Sequence, residues 1–249
     1  MIKSAGIIPV RRRNYATPIG EQEFFVTPLI RKSIEDGLAA VGSPAKGAKV
    51  LDIGAGECPL RSSLEAIGFF YQSLDIQQNS QGSIDYIARI DQKLPEALLS
   101  SCGFDLLLIT EVLEHVPDWE AAFANISALL KPGGKCIITV PFFYMLHEEP
   151  FDYWRPTVHA LRYFATSKGL DVIDARRNGD GWEVLGTLLC STSVYRRRKG
   201  VTAYLAVAPI WLAHKLLKWF FMSRVLQPVV ELQMRYYTGN YFLLSKKCV

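Results

Sequence analysis

One segment limits the fold more than any other. Val50-Leu51-Asp52-Ile53 runs directly into Gly54-Ala55-Gly56, and Glu57-Cys58-Pro59-Leu60-Arg61 follows. The apolar run (49–54) reads as a buried strand, and PLRSSLEAIG (59–68) as the helix behind it. Glycines at a strand-to-helix junction permit a tight turn and let a ligand lie against bare backbone. Gly-x-Gly alone is a weak signal. It also departs from the dinucleotide fingerprint, because the third glycine of that pattern is missing here. Glu57 adds a carboxylate where a pyrophosphate needs open N–H groups. A ligand with a positive centre meets no such objection.

The same alternation continues along the chain. FYQSLDI (70–76), FDLLLIT (104–110), KCIITVPF (135–142) and LDVIDARR (170–177) read as strands, with DYIARID (85–91) as a short one and NYFLLSKK (240–247) as the last. WEAAFANISALL (119–130) reads as a helix, Pro132-Gly133-Gly134 as a turn, and Phe24 to Val41 as a helix closed by Gly42-Ser43-Pro44. Strands alternating with such helices predict an α/β chain, a doubly wound parallel sheet covered on both faces. Residues 1–44 read as an N-terminal arm and helix, and 45–249 as the main domain. With 49% hydrophobic residues in 249, the chain has ample core material and is not of disordered type.

Five acidic or polar positions fall behind the glycine loop, at or just beyond strand ends. Asp75 closes the second strand, where an acid accepts both hydroxyls of a ribose. Asp91 ends the short strand, within reach of an adenine amino group. FDLLLITEVLEHVPDW (104–119) puts Thr110, Glu111 and His115 at the carboxyl edge where doubly wound sheets bind ligands. Singly, each acid is equally a solvated loop residue or a helix cap.

Together, LDIGAGE (51–57), LDI (74–76), Asp91, FDLLLITEVLEHV (104–116) and LLKPGGKCIITVPF (129–142) resemble the class I S-adenosylmethionine-dependent methyltransferases. The likeness is to the small-molecule and glycan subgroup, type 11-like, and covers roughly residues 45–180. The resemblance implies a seven-stranded Rossmann-like sheet, mostly parallel with its last strand antiparallel. It also implies S-adenosyl-L-methionine as cofactor. Asp52 with Gly54, Ala55 and Gly56 would shape the methionine side, Asp75 and Ile76 the ribose side, and Asp91 with Ile90 the adenine side. Glu111 and Val112 would line the pocket after the fourth strand. Methyl transfer is an in-line displacement, so the protein must align the acceptor and remove a proton where needed.

His115 and His147 are the candidate bases, each weighed against a structural role. Residues 141–164 follow the fifth strand, where acceptor loops sit, and bring Glu148, Tyr153, Trp154 and Arg155 together as acceptor-side candidates. Polar groups interleaved with aromatics suit a polyhydroxylated acceptor. Arg155 is slightly better explained by a pair with Asp152, and His159 is a weaker candidate. His147-Glu148-Glu149 lacks the His-Glu-x-x-His spacing, so no metal is expected there.

Residues 201–235 form a hydrophobic helical insertion before the last strand. Its uninterrupted apolar part, Val201 to Ala213, falls short of the ~20 residues of a spanning helix. It reads instead as a lid, a self-association surface, or a peripheral membrane contact through 201–230, with His214 as a packing residue. Arg11–Arg13 and Arg196–Lys199 fit solvated turns or anionic lipid equally well. The net charge of +4 does not call for a nucleic-acid partner. Five scattered cysteines and four scattered histidines exclude a disulfide scaffold and a zinc-finger array. No apolar run of signal length precedes the first arginines, so the expected place is cytoplasmic, or the inner face of a membrane. The acceptor is expected to be a small molecule, a glycan or a lipid-linked compound. The alternative is a catalytically silent scaffold on the same fold.

Overall fold

The computed structural model describes Tyr15, residues 20–195 and residues 199–247; Arg11–Arg13 and Arg196–Arg198 lie outside the described residues. Seven strands make one sheet: β1 (Lys49–Ile53), β2 (Phe70–Asp75), β3 (Tyr86–Ile87), β4 (Phe104–Thr110), β5 (Leu130–Pro141), β6 (Leu170–Asn178) and β7 (Gly239–Lys246). Their order is β3-β2-β1-β4-β5-β7-β6. The first five run parallel, and β7 runs antiparallel to both β5 and β6. This is the doubly wound sheet with its last strand reversed that the sequence predicts. The chain leaves β1 toward β2 on one side and resumes at β4 on the other. That reversal opens a crevice at the carboxyl ends of β1 and β4.

The two central strands are apolar on both faces because both faces are covered. Leu51, Ile53, Leu107 and Ile109 enter one core with Trp119, Phe123 and Leu161. Val50, Leu106 and Leu108 enter the other with Tyr71, Ile137 and Tyr241. The helices on the two sides are α1 (Val26–Val41), α2 (Arg61–Ala66), α3 (Glu96–Ser100), α4 (Trp119–Leu129), α5 (Val158–Ser167), α6 (Gly181–Ser191) and α7 (Val201–Ser223). In α4 the buried residues Trp119, Ala122, Phe123, Ile126 and Leu129 form one stripe, and Asp118 caps its start by accepting from the Ala121 N–H.

Several local expectations change. Pro132-Gly133-Gly134 is no separate turn but a bulge inside β5: Phe104 pairs with Leu130 and Leu106 with Lys135. The third strand keeps only Tyr86 and Ile87, so Asp91 lies on a loop beyond the sheet edge. Helix α6 is hidden in sequence by Gly181 and Gly186, which read as breakers. At Gly186 a Cβ would stand 2.5 Å from the Phe25 ring, so the glycine serves helix packing. The turn is held by a full capping box between Asp180 and Glu183.

Helix α7 overturns the length argument against a membrane span. It runs unbroken through Lys215 and Lys218 for 23 residues and is long and apolar enough to cross a membrane. At 1.5 Å per residue that is ~34 Å. It ends at Ser223, not 235, with Arg224 in the left-handed region. Among the described residues one seam of it is tied down: Phe221 is buried with Phe25 and Trp182, His214 Nε2 meets Leu189 O at 2.9 Å, and Lys218 pairs with Glu21. Tyr204, Ile210, Trp211, Leu217 and Trp219 stay exposed.

Candidate active site

A cavity of about 370 Å³ occupies the crevice beyond β1, β2 and β4. Its first wall is the glycine loop. Leu74 O accepts from the N–H groups of Gly54 at 2.7 Å and Ala55 at 3.2 Å, which fastens the loop to the end of β2. Gly54 has φ +68, and a Cβ there would stand 2.5 Å from Val112 Cγ2. No other residue fits without displacing Val112. Asp75 is held by both oxygens: Gly56 N–H donates to Oδ2 and Ile76 N–H to Oδ1, each at 2.7 Å. Its carboxylate is thereby fixed where it lines the cavity.

Asp52 does not share this position. Residues alternate across a strand, so Asp52 faces the opposite core, where the Tyr71 hydroxyl donates to its Oδ2 at 2.8 Å. Burial first, then the Asp52 charge, pushes the Tyr71 phenol far above its ordinary range. Ala55 is fully buried in that same core, and Gly56 acts through its N–H on Asp75. None of the three is a lining residue; they shape the loop from behind.

Ile76, Ala88, Arg89, Ile90 and Asp91 form the next wall. Asn125 pins this loop by donating to Ile90 O at 2.7 Å and Gln92 O at 2.8 Å. Asp91 is not free to greet an amino group as expected. Arg89 grips it with Nε to Oδ1 at 3.0 Å and Nη2 to Oδ2 at 2.8 Å. A ligand edge on this side therefore meets an ion pair, not a lone carboxylate.

The far end gathers Glu111, Val112, His115, Val116, Tyr144, His147, Glu148 and Phe151. Glu111 and Glu148 both have φ +53, a left-handed conformation that non-glycine residues seldom hold. The His115 and His147 rings stand edge to face, with centroids 4.9 Å apart. His115 Nδ1 meets Phe151 O at 2.9 Å; His147 Nδ1 meets Met145 O at 3.3 Å and Asp152 Oδ2 at 3.2 Å. These acceptors assign the proton of each ring to Nδ1 and leave Nε2 with its lone pair. Burial, then His115, drives the His147 imidazolium down to about 4, so this ring is neutral at ordinary pH.

Between the rings sits Glu114, fully buried, with neither carboxyl oxygen hydrogen-bonded among the described residues. Its Oε1 lies 3.7 Å from His115 Nε2 and 3.8 Å from His147 Nε2. Burial, then the neighbouring Glu111 charge, lifts its carboxyl well above the usual range. Glu114, His115 and His147 each offer a donor atom within 4.8 Å of the others, a set able to hold a metal ion. Sequence spacing brings only the adjacent His147-Glu148-Glu149 into question and predicts no metal; this set, which joins Glu114 and His115 to His147, goes unforeseen.

Tyr153, Trp154 and Arg155 are not lining residues, contrary to expectation. Tyr153 N–H donates to Glu114 O at 2.8 Å, and Trp154 Nε1 to Val116 O at 2.9 Å, with its ring against Trp119. Arg155 pairs with both Asp152 oxygens at 2.6 and 2.7 Å, and also donates to Tyr144 O and Met145 O. These three lock the loop that carries His147. The sequence missed Tyr15, Val26, Thr27 and Ile30, which close the cavity from the N-terminal side. The apolar periodicity of α1 marked it as a packed helix but not which of its ends meets a ligand. Tyr15 Oη meets Thr110 Oγ1 at 3.1 Å across 95 positions of chain, a contact no local pattern announces.

The comparisons with known proteins agree with this geometry. A family model described as a methyltransferase domain matches residues 28–176. A ubiquinone biosynthesis O-methyltransferase of Paramagnetospirillum magneticum is 30% identical over 137 residues, which is 51% of this chain and 49% of that protein. One of the same name from Xanthomonas oryzae pv. oryzae is 32% identical over 104 residues, 37% of this chain and 43% of that one. The chain thus spans about half the length of the curated relatives it matches. Among solved structures, a putative sarcosine dimethylglycine methyltransferase from Galdieria sulphuraria superposes with a TM-score of 0.55 at 17% identity, over 88% of this chain and 84% of that one. The [4+2]-cyclase SpnF superposes with a TM-score of 0.52 at 14% identity, over 97% and 99%. Likenesses at such identities establish the fold alone.

Proposed function

We propose, for a chain that belongs to the methyltransferase-domain family and has the class I fold of its S-adenosylmethionine-dependent members, methyl transfer to an oxygen or nitrogen of a polar group carried on an apolar acceptor. S-adenosylmethionine fits what the residues offer. The cavity volume lies in the ordinary range for such ligands. Gly54 presents bare backbone, and the loop carries Glu57 instead of an anion nest, which suits a cation. When bound, this cofactor supplies a methyl group on a sulfonium, ready for displacement.

The residues of the chain do the rest. Asp75 accepts the ribose hydroxyls with a carboxylate already aimed by Gly56 and Ile76. Ile76, Ile90 and Val112 give the base and the methionine chain apolar walls. Glu111 and Glu148 place negative charge at the acceptor end, toward which a sulfonium is drawn. His115 and His147, each with a free Nε2, are the groups able to take the acceptor's proton.

The acceptor end sets an apolar side of Val26, Ile30, Val116, Tyr144 and Phe151 against the polar Glu111, His115, His147 and Glu148. Of the aromatics that favoured a glycan, Trp154 is tied to Val116 O and Trp119, and neither Tyr153 nor Trp154 lines the cavity, which weakens the glycan reading. A lipid-linked acceptor gains from α7. Lys218 on α7 pairs with Glu21, three residues before Phe24, and the first turn of the helix that follows contributes Val26 and Thr27 to the cavity. This ion pair ties the exposed apolar helix to the segment that leads into the cavity wall, and on that ground our reading puts the enzyme at the cytoplasmic face of a membrane. The relatives named for ubiquinone biosynthesis also methylate oxygen, by their names.

Asp75 carries this reading. Its test is calorimetric titration with S-adenosylhomocysteine: one-to-one micromolar binding is expected, weakened roughly tenfold or more in Asp75→Asn, the loss of one or two hydrogen bonds to a charged group. A folded protein that binds none would overturn the cofactor site. The silent-scaffold alternative predicts binding without turnover, and the three convergent ionisable groups at the acceptor end speak against it.

A further inference from the structure

We propose that Glu114, His115 and His147 form a binding site for a divalent transition-metal ion at the acceptor end of the cavity. Three independent features point there. The first is Glu114, a fully buried carboxylate whose two oxygens have no hydrogen-bond partner among the described residues and which faces two histidine nitrogens. A buried carboxyl left unpaired is costly to ionise and keeps its proton unless a cation pairs with it, and a metal ion is such a cation. The local supply of charge does not meet the need. The cation attracted to this group from the protein, Arg155, is already committed to both oxygens of Asp152.

The second feature is the outer ring of contacts. Metal-binding histidines nearly always hand their other ring N–H to a carbonyl or carboxylate, which fixes the tautomer and aims the lone pair. Both histidines do so here: His115 through Phe151 O, His147 through Asp152 and Met145 O. Asp152 is itself held by Arg155, so the support extends one layer further. An imidazole kept for hydrogen bonding or packing has no need of two such anchors converging on one point.

The third feature is distance. Glu114 Oε1 stands 3.7 and 3.8 Å from the two Nε2 atoms, and all three donors lie within 4.8 Å of one another. A point equidistant from such a triangle is roughly 2.2–2.4 Å from each corner, a few tenths of an ångström longer than metal–nitrogen and metal–oxygen bonds. Glu148 Oε2 stands 3.6 Å from His115 Nε2, beside this set and not within it. Two imidazoles with one carboxylate suit zinc, iron(II), cobalt(II) or manganese(II), and suit magnesium or calcium poorly.

The ion would act on the acceptor and not on the cofactor, a role that rests on the methyl-transfer reading. With both Nε2 lone pairs on the ion, the histidines no longer serve as bases. An acceptor hydroxyl bound to the ion is acidified and releases its proton to solvent, and the resulting oxyanion lone pair forms the new O–CH3 bond as the sulfonium S–CH3 bond breaks.

The test uses the full chain, stripped with chelator and titrated with cobalt(II) under visible absorption, with S-adenosylhomocysteine calorimetry on the same sample. One equivalent is expected, with ligand-field bands of a nitrogen–oxygen site, displaced by zinc and accompanied by a raised Tm. Glu114→Gln, nearly the same shape, and His147→Ala each weaken cobalt binding at least tenfold while still binding S-adenosylhomocysteine. Exposed His159→Gln changes neither. Wild-type protein that binds S-adenosylhomocysteine but takes up no cobalt overturns the metal site. So does uptake that survives unchanged in both variants, since the ion is then elsewhere. Cobalt uptake without S-adenosylhomocysteine binding keeps the metal site and removes the methyl-transfer role.

Discussion

Gly54→Ala tests the junction between fold and site. Two costs act together. A residue with a Cβ in the left-handed region loses roughly 1–2 kcal/mol, and Gly54 sits at φ +68. The new methyl also meets Val112 Cγ2 at 2.5 Å and Cγ1 at 3.2 Å, an overpacking of about 1–3 kcal/mol. The single variant should therefore lose about 2–5 kcal/mol, a large part of the stability of an ordinary domain. Val112→Ala removes both clashing carbons and leaves Val112 Cβ at 3.4 Å, ordinary contact. Alone it should cost about 1 kcal/mol. Combined, the two should recover the steric part and keep the backbone part, a coupling of roughly 1–3 kcal/mol. Urea unfolding at constant m reads the stabilities, and calorimetry with S-adenosylhomocysteine reads the site. If the double variant loses the plain sum of the two singles, Gly54 and Val112 do not touch and the cavity wall is misassigned.

Tyr71→Phe removes a buried donor from Asp52 and should cost about 1.5–3 kcal/mol of stability, while S-adenosylhomocysteine affinity changes less than about twofold; a large affinity loss would return Asp52 to the pocket. Thiol labelling should modify exposed Cys102 first, in a Cys248→Ser background, and should leave Cys136 unreactive until unfolding, because burial pushes that thiol far up. Early labelling of Cys136 would refute the closed core beneath β5. The chain should float with anionic vesicles and shift the emission of Trp211 and Trp219 to the blue, and it should stay in solution after Leu216→Glu with Leu217→Glu; vesicle binding unchanged by both charges would dismiss α7 as the contact.

The legible parts of this chain are those where local chemistry and tertiary role coincide. The sheet was readable because β1 and β4 are apolar on both faces, and the glycine loop because its conformation admits few residues. Asp75, Glu111, Val112, His115, His147 and Glu148 were found from their place at strand ends or after β5. Asp52 was misjudged, since the face of a strand does not show in spacing; Asp91 lines the cavity as expected, but its pairing with Arg89 does not show in spacing either. Trp154 and Arg155 look like ligand-binding residues for the same reason that they make good internal fasteners: an indole and a guanidinium serve both uses. Glu114 was passed over beside His115, because its burial depends on how the 142–157 loop folds back over it. Helix α7 was counted too short because Lys215 and Lys218 interrupt its composition without interrupting its backbone.

The antiparallel strand β7 has a consequence for the order in which the molecule can assemble. It lies between β5 and β6, pairing with both along its whole length, yet it follows them by some sixty residues or more of chain. Until Gly239–Lys246 arrives, β5 presents a bare edge and β6 has no neighbour. During synthesis the half-sheet β3-β2-β1-β4-β5 can form early from sequence-near pairings, but its exposed flank invites foreign strands. Closure is then a late, non-local step, the kind that slows folding. The oily α7 emerges in that interval. A membrane surface that receives α7 first would hold β6 and β7 near each other while the final strand slides home.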